Sequence, residues 1–101
     1  MTLSAIESAA IEHASGAPTL ARTEAWVAIN SGTRNLAGLA TMAATLADAF
    51  AVLPGALTLA DPAPAEAVTA DGRVESLDHG RHLHLAVRPE APLQILLTGH
   101  M

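Results

Sequence analysis

The most regular pattern of apolar positions lies in the middle of the chain. Apolar residues recur there at alternating steps of three and four, which is the spacing of one helix face: Leu36, Leu39, Ala43, Leu46, Phe50 and Leu53. Pro54-Gly55 follows and predicts the end of that helix. The flanking positions lack the alternating charges of a coiled coil. The pattern therefore predicts a helix that lies on a sheet.

Two shorter helices are predicted ahead of this one. Ser4-Ala5-Ile6-Glu7 has the spacing of a capping box, so a first helix is expected over residues 4–14. Pro18-Thr19 can begin a second helix, whose largest apolar side chain is Trp26. We interpret Trp26 as an anchor that holds this helix to a thin core; a stacking platform for a ligand is the alternative.

Strand patterns follow in the second half of the chain. Residues 56–60 read as a short strand, and residues 61–66 as a proline-punctuated, mobile loop. Asp71-Gly72 predicts a turn ahead of a strand over residues 73–77. Residues 81–87 alternate cleanly, so their apolar side chains face one way and His82 and His84 the other.

The closing segment, residues 93–101, predicts the most buried strand. Its apolar run is nearly unbroken, as in a strand covered on both faces of a parallel or mixed sheet. His100 follows Gly99 just beyond the carboxyl end of that strand, where open α/β sheets bind their ligands. Glycine there can turn sharply and admit a close ligand. The expected fold is α/β, with N-terminal helices followed by strands of a mixed sheet whose last member is central.

The amino-acid composition argues against several classes of protein. With 101 residues the chain makes one small domain, and with 50% hydrophobic but only 2% aromatic residues its core consists of small aliphatic side chains. A net charge of −5 and the absence of lysine argue against nucleic-acid or anionic-membrane partners. No cysteine, no signal-peptide pattern and no convincing membrane span are present, which favours a cytoplasmic location.

Three polar features are candidates for chemistry. The loop at residues 30–35 can cap the central helix. The functional alternative is that it binds an anion. His82 and His84 lie on one strand face and could bind a metal, but no third ligand is identifiable, so we interpret them as surface residues. His100 is the third candidate, because of its place after the closing strand.

Several short motifs, taken in order, resemble one enzyme superfamily. They are Asn30-Ser31-Gly32-Thr33-Arg34-Asn35 with Gly38, Asp71-Gly72-Arg73-Val74, and Leu96-Leu97-Thr98-Gly99-His100-Met101 behind Arg88-Pro89-Glu90-Ala91-Pro92. From about Trp26 onward the chain looks like the start of the catalytic domain of the zinc-dependent aminoacylase, acetylornithine deacetylase and glutamate carboxypeptidase superfamily. The glutamate-carboxypeptidase-like branch is the nearest. The family pattern at the last motif is a hydrophobic strand followed by Gly-His-x-Asp.

The resemblance implies a function for the protein of which this chain is a part. Residues 1–101 are then the N-terminal part of a metallopeptidase catalytic domain, and the family's smaller dimerisation domain is absent. His100 corresponds to a zinc ligand in a two-zinc centre that hydrolyses an amide bond in N-acyl amino acids or small peptides. The remaining ligands and the glutamate base lie outside the chain, so the resemblance implies that the chain alone is inactive and holds no stable zinc. The resemblance also implies a homodimer for the parent enzyme.

Two noncatalytic interpretations of the chain remain open. The chain can be a truncated or independent noncatalytic α/β domain that binds a partner through an exposed sheet edge. It can also be an anion-binding module that uses the loop at residues 30–35, which we rank last.

Overall fold

The computed structural model describes all residues, 1–101, and has three helices followed by four strands. The elements are α1 (Ala5–Ser15), α2 (Thr19–Val27), α3 (Leu36–Phe50), β1 (Ala56–Ala60), β2 (Ala65–Val68), β3 (Val74–Leu77) and β4 (His82–Ala86). The α/β class and the order of helices before strands are confirmed. None of the three helices combines the length and the apolarity that crossing a membrane requires.

The N-terminus of α1 has the predicted capping box. The Glu7 amide donates to Ser4 Oγ at 3.2 Å, and the Ser4 amide donates to Glu7 Oε2 at 2.7 Å. The hydrogen bond from the Ser4 backbone is the main reason why the pKa of Glu7 is lowered from its ordinary value of 4.5. Neither α1 nor α2 has a buried residue, so capping and local hydrogen bonds hold them more than packing does.

The strands form two separate antiparallel pairs, β1 with β4 and β2 with β3. The prediction of a mixed sheet was wrong. Across the first pair Leu57 stands opposite Leu85, and Leu59 opposite Leu83. The leucines of β4 are half-buried, and His82 and His84 are exposed, as the alternation of this strand predicts.

The core lies where α3 packs on β1 and β4. Only Leu39, Met42 and Ala43 are buried, and all three belong to α3. The Cα radius of gyration is 18.2 Å, against about 13 Å for a compact domain of this length. The extents of 61 × 35 × 27 Å likewise describe an elongated molecule. The fold therefore has one small packed centre with extended parts around it.

The second hairpin contains a strand that the sequence analysis missed. Strand β2 begins at Ala65, inside the stretch predicted as a loop, and pairs with β3 across the predicted Asp71-Gly72 turn. Gly72 has φ +82°, a conformation that glycine adopts without steric cost. The Thr69 hydroxyl donates to Asp71 Oδ1 and is the main reason why the pKa of Asp71 is lowered. Arg73 Nε also lies 2.7 Å from Asp71 Oδ2.

The closing segment is not a strand, and the prediction of a buried central strand there was wrong. Residues 94–101 have no regular secondary structure, and Leu96 and Leu97 are 85% and 88% exposed. A strand is stable only where a neighbour satisfies its backbone donors and acceptors. The run of apolar residues predicted burial, but its side chains are exposed and no strand of the chain pairs with it. The sequence of apolar residues does not show whether a strand will lie beside the segment.

Candidate functional site

His100 is exposed and lies in the irregular closing segment. A Cβ built on Gly99 would meet no atom within 4 Å, and Gly99 is not among the glycines with positive φ. The expected reason for glycine at this position, a sharp turn or a close approach, is therefore not met by the backbone here. The histidine follows an irregular apolar run and does not lie at the end of a strand.

His100 does not belong to a cluster of potential metal ligands. The chain contains no group of three or more His, Cys, Asp or Glu side chains placed to hold one ion. A catalytic zinc has three protein ligands and an open position for water. The donor set of this chain therefore does not fit a zinc centre by itself, and no catalytic step can be assigned to its residues.

Gln94, near the start of the closing segment, is hydrogen-bonded to the loop that precedes the segment. Gln94 Nε2 lies 3.2 Å from the carbonyl oxygen of Arg88, 3.1 Å from that of Pro89 and 2.7 Å from that of Ala91. Arg88 has φ +49°, the one non-glycine residue in the left-handed region. The amide group of one side chain thus contacts three backbone carbonyls of the loop that follows β4.

His82 and His84 lie on the exposed face of β4, as predicted. Their ring centroids are 6.2 Å apart and the ring planes differ by 28°, so the two imidazoles stack. Directly opposite them on β1 stand Ala60 and Thr58, neither of which is a favourable metal ligand. The pair is a surface feature of the β1–β4 sheet.

The loop at residues 30–35 caps α3. Asn35 Oδ1 accepts from the Gly38 amide at 3.1 Å, and Asn35 Nδ2 donates to the Asn30 carbonyl at 2.9 Å. Asn30 Oδ1 in turn accepts from the Gly32 amide at 3.2 Å. These bonds confirm the predicted capping role, in which the polar side chains satisfy the free amides of a helix start.

Trp26 is half-buried in α2, and the guanidinium carbon of Arg22 lies 5.8 Å from its ring centroid. This is the distance of a cation–π contact. An open cleft of about 700 Å³ lies beside this helix, with Glu12, His13 and Arg22 among its lining residues. No set of side chains converges in it.

A groove between α3 and β1 was not predicted. We call it the α3 groove: it has a volume of about 310 Å³ and is lined by Leu36, Ala40, Ala43, Leu59 and the loop at residues 79–81. Leu36 and Leu59 are 42% and 38% exposed, so the groove is open, and the polar side chains of His79 and Arg81 also line it. The loop fits closely, because a Cβ on Gly80 would be 3.1 Å from Leu39 Cβ. The helical stripe in the sequence was the available signal, since Leu36 and Ala43 belong to it and line the groove.

Comparison with known proteins gives no match: no family model, no curated protein and no solved structure is detectably similar to the chain.

Proposed function

We propose that the chain is the N-terminal part of the catalytic domain of a zinc-dependent hydrolase that cleaves an amide bond in N-acyl amino acids or small peptides. The observation that carries this proposal is the motif Leu96-Leu97-Thr98-Gly99-His100-Met101 in its order behind the other family-like motifs. His100 is proposed as one zinc ligand of the complete enzyme. The proposed location is cytoplasmic, and the proposed substrate is a small molecule rather than a nucleic acid or a membrane.

The exposure of the closing segment supports this proposal. Leu93, Ile95, Leu96 and Leu97 are between 76% and 88% exposed, although a sequence of this kind is typical of a strand covered on both faces. The β1–β4 sheet has only two strands, so each keeps one unpaired edge. Two-stranded sheets are marginal in isolation and are stabilised by further strands. Both features are expected of a sheet that is completed by other parts of a larger domain.

The residues of this chain have a limited part in such an enzyme. His100 would present one imidazole at the end of the apolar run, and α3 with its sheet would form part of the scaffold behind it. Zinc supplies activation of water and polarisation of the scissile carbonyl when three protein ligands hold it. One histidine does not meet that requirement, so the 101-residue chain alone is proposed to be inactive.

The test is a longer chain that includes the residues encoded after Met101. It should bind zinc and release free amino acid from N-acyl amino acids, and His100→Ala should reduce both zinc content and turnover by at least about a hundredfold. His79→Ala is the matched control, since His79 is also exposed and should leave both unchanged. A longer chain that turns over equally well with His100→Ala would refute the proposed role.

A noncatalytic interaction module is the second candidate function. The same exposed apolar segment and the unpaired edges of β1 and β4 favour it, because such edges bind added strands. The two candidates are separated by zinc: only the hydrolase proposal expects a longer chain to gain a metal centre.

A further inference from the structure

We propose that His82 and His84 form a two-nitrogen chelate site for Cu²⁺, with Ni²⁺ and Zn²⁺ bound more weakly, on the exposed face of β4. The observation that carries the proposal is the stacking of two exposed imidazoles on one strand face, with ring centroids 6.2 Å apart. The site is separate from the zinc proposed at His100 and does not rest on the hydrolase function.

The backbone of β4 places the two rings side by side. Alternate residues of a strand point to the same face, and their Cα atoms are about 6.5–7 Å apart. Pairing with β1 puts Ala60 opposite His82 and Thr58 opposite His84. Both cross-strand neighbours have short side chains, so they leave space above the sheet for an ion and its water ligands.

The ring geometry is close to what a shared ion requires. Bonds from imidazole nitrogen to a metal are about 2.0–2.1 Å long, so two rings on neighbouring positions of one ion have centroids roughly 4–5 Å apart. The observed rings must therefore approach each other by roughly 1–2 Å. Both side chains are exposed, so rotation about their χ angles supplies this movement without shifting the sheet.

The donor set selects the metal. Imidazole nitrogen suits copper, nickel and zinc, and among the divalent metals of the first row the affinity of such a site is highest for Cu²⁺. Thr58 and Ala60 add no favourable ligand, so water fills the remaining positions. Cu²⁺ accepts a tetragonal arrangement of nitrogen and oxygen ligands. A closed structural zinc site needs four protein ligands instead.

The charges around the pair do not oppose a cation. Arg81, next to His82 in the sequence, has its Nε atom 2.9 Å from Asp61 Oδ1. Arg81 also lines the α3 groove, on the side of the sheet where Leu59 lies. The net charge of the chain is −5, which attracts cations at low ionic strength.

The first measurement is calorimetric titration of the 101-residue chain with Cu²⁺ in a buffer that does not bind metal. We expect one strong site per chain, weakened at least about tenfold by His82→Ala and equally by His84→Ala, because chelation makes the second ring's binding intramolecular. The double variant should lose far less than the sum of the two single losses. His13→Ala and His79→Ala are the controls and should leave the strong site unchanged.

Three results of this titration would overturn the proposal. One is the absence of a strong site in the natural chain. Another is a strong site whose affinity survives either single variant of the pair, since independent histidines would lose stoichiometry rather than affinity. The third is a strong site that His100→Ala removes while His82→Ala does not.

A relocated histidine separates chelation from histidine content. The variant with both His84→Ala and Ala86→His keeps five histidines and keeps two of them on the exposed face of β4. Their Cα atoms are then about 13–14 Å apart, too far for parallel side chains to bind one ion. This variant should bind Cu²⁺ as weakly as His84→Ala alone. Binding as strong as that of the natural chain would overturn the chelate.

NMR locates the ion, because Cu²⁺ is paramagnetic and broadens nearby resonances. Substoichiometric Cu²⁺ should broaden first the amide resonances of β4 around Leu83 and those of Thr58 and Ala60, which lie opposite the histidines. Diamagnetic Zn²⁺ at the same concentration is the control and should broaden none of them by this mechanism. Broadening that begins at Gly99 or at α1 instead would overturn the assignment of the site to β4.

Discussion

Gly38 lies against the carbonyl of Asn30 so closely that a Cβ on Gly38 would stand 1.7 Å from that oxygen. The same carbonyl accepts from Asn35 Nδ2 at 2.9 Å, and the Gly38 amide donates to Asn35 Oδ1 at 3.1 Å. Asn30, Asn35 and Gly38 therefore form one unit, in which the loop folds back over the first turn of α3. This unit positions the only helix that contributes buried residues.

Replacing Gly38 by alanine should destabilise the chain. The added methyl group would overlap the backbone carbonyl of Asn30 and also crowd the Asn35 side-chain amide, so the loop must move and the cap is lost. We expect a loss of about 2–4 kcal/mol in the free energy of unfolding, measured by urea titration. Gly99→Ala is the control, because no atom lies within 4 Å of its built Cβ. A Gly38→Ala variant as stable as the control would contradict the described packing.

The contributions of the two Asn35 side-chain hydrogen bonds to stability can be measured separately. Asn35→Ala removes both and should cost about 0.5–2 kcal/mol. Asn35→Asp keeps the acceptor for the Gly38 amide, adds a charge that is favourable at a helix start, and removes only the donor to Asn30. It should therefore cost less than Asn35→Ala. Equal losses in thermal unfolding for the two variants would show that the cap to Gly38 contributes nothing.

The stabilisation of α1 by its capping box should depend on pH, because Glu7 is titratable. The pKa of Glu7 is lower in the folded chain than its ordinary value of 4.5, so its stabilising contribution is complete above that value. The contribution is lost as the pH falls through the lowered pKa. The Ser4 amide resonance, followed by NMR from pH 7 to pH 2, should shift with this midpoint, and Glu7→Gln should remove the transition. A midpoint at or above 4.5 would be inconsistent with the observed hydrogen bonds.

Shortening the Leu39 side chain should destabilise the core. Leu39 is 8% exposed and also supports the loop at Gly80. Leu39→Ala should cost about 2–4 kcal/mol, a large share of the stability of so small a core. Leu20→Ala is the control, since Leu20 is 73% exposed on α2 and should change stability by less than about 0.5 kcal/mol. Similar losses in both variants would mean that α3 is not the packed centre.

The sequence was most informative where structure is local. Capping at Ser4 and Asn35, the helical stripe of α3, and the alternation of β4 depend on neighbours a few residues away, and all were predicted. Strand β2 was missed because prolines ahead of Ala65 were read as a loop. The alternation from Ala65 to Val68 and the Asp-Gly turn after it were the signals of a hairpin.

Non-local structure was harder to predict. An apolar run such as residues 93–97 indicates a preference for burial, but not which strand it pairs with, or whether that strand belongs to the same molecule. The pattern of apolar positions also did not predict that β1 pairs with β4. These strands are distant in sequence, since Ala60 stands opposite His82, 22 positions later. The proposed zinc ligand His100 depends on the same kind of information, because metal sites join residues that are distant in sequence.

We propose, above all, that this chain is part of a zinc-dependent hydrolase in which His100 is one ligand. The most direct measurement is the sequence of the natural reading frame immediately after the codon for Met101. If the proposal is right, an aspartate codon stands there and completes Gly-His-x-Asp, with an adjacent Glu-Glu pair further on and a later histidine. A stop codon at that place, or a continuation without the aspartate, would contradict it.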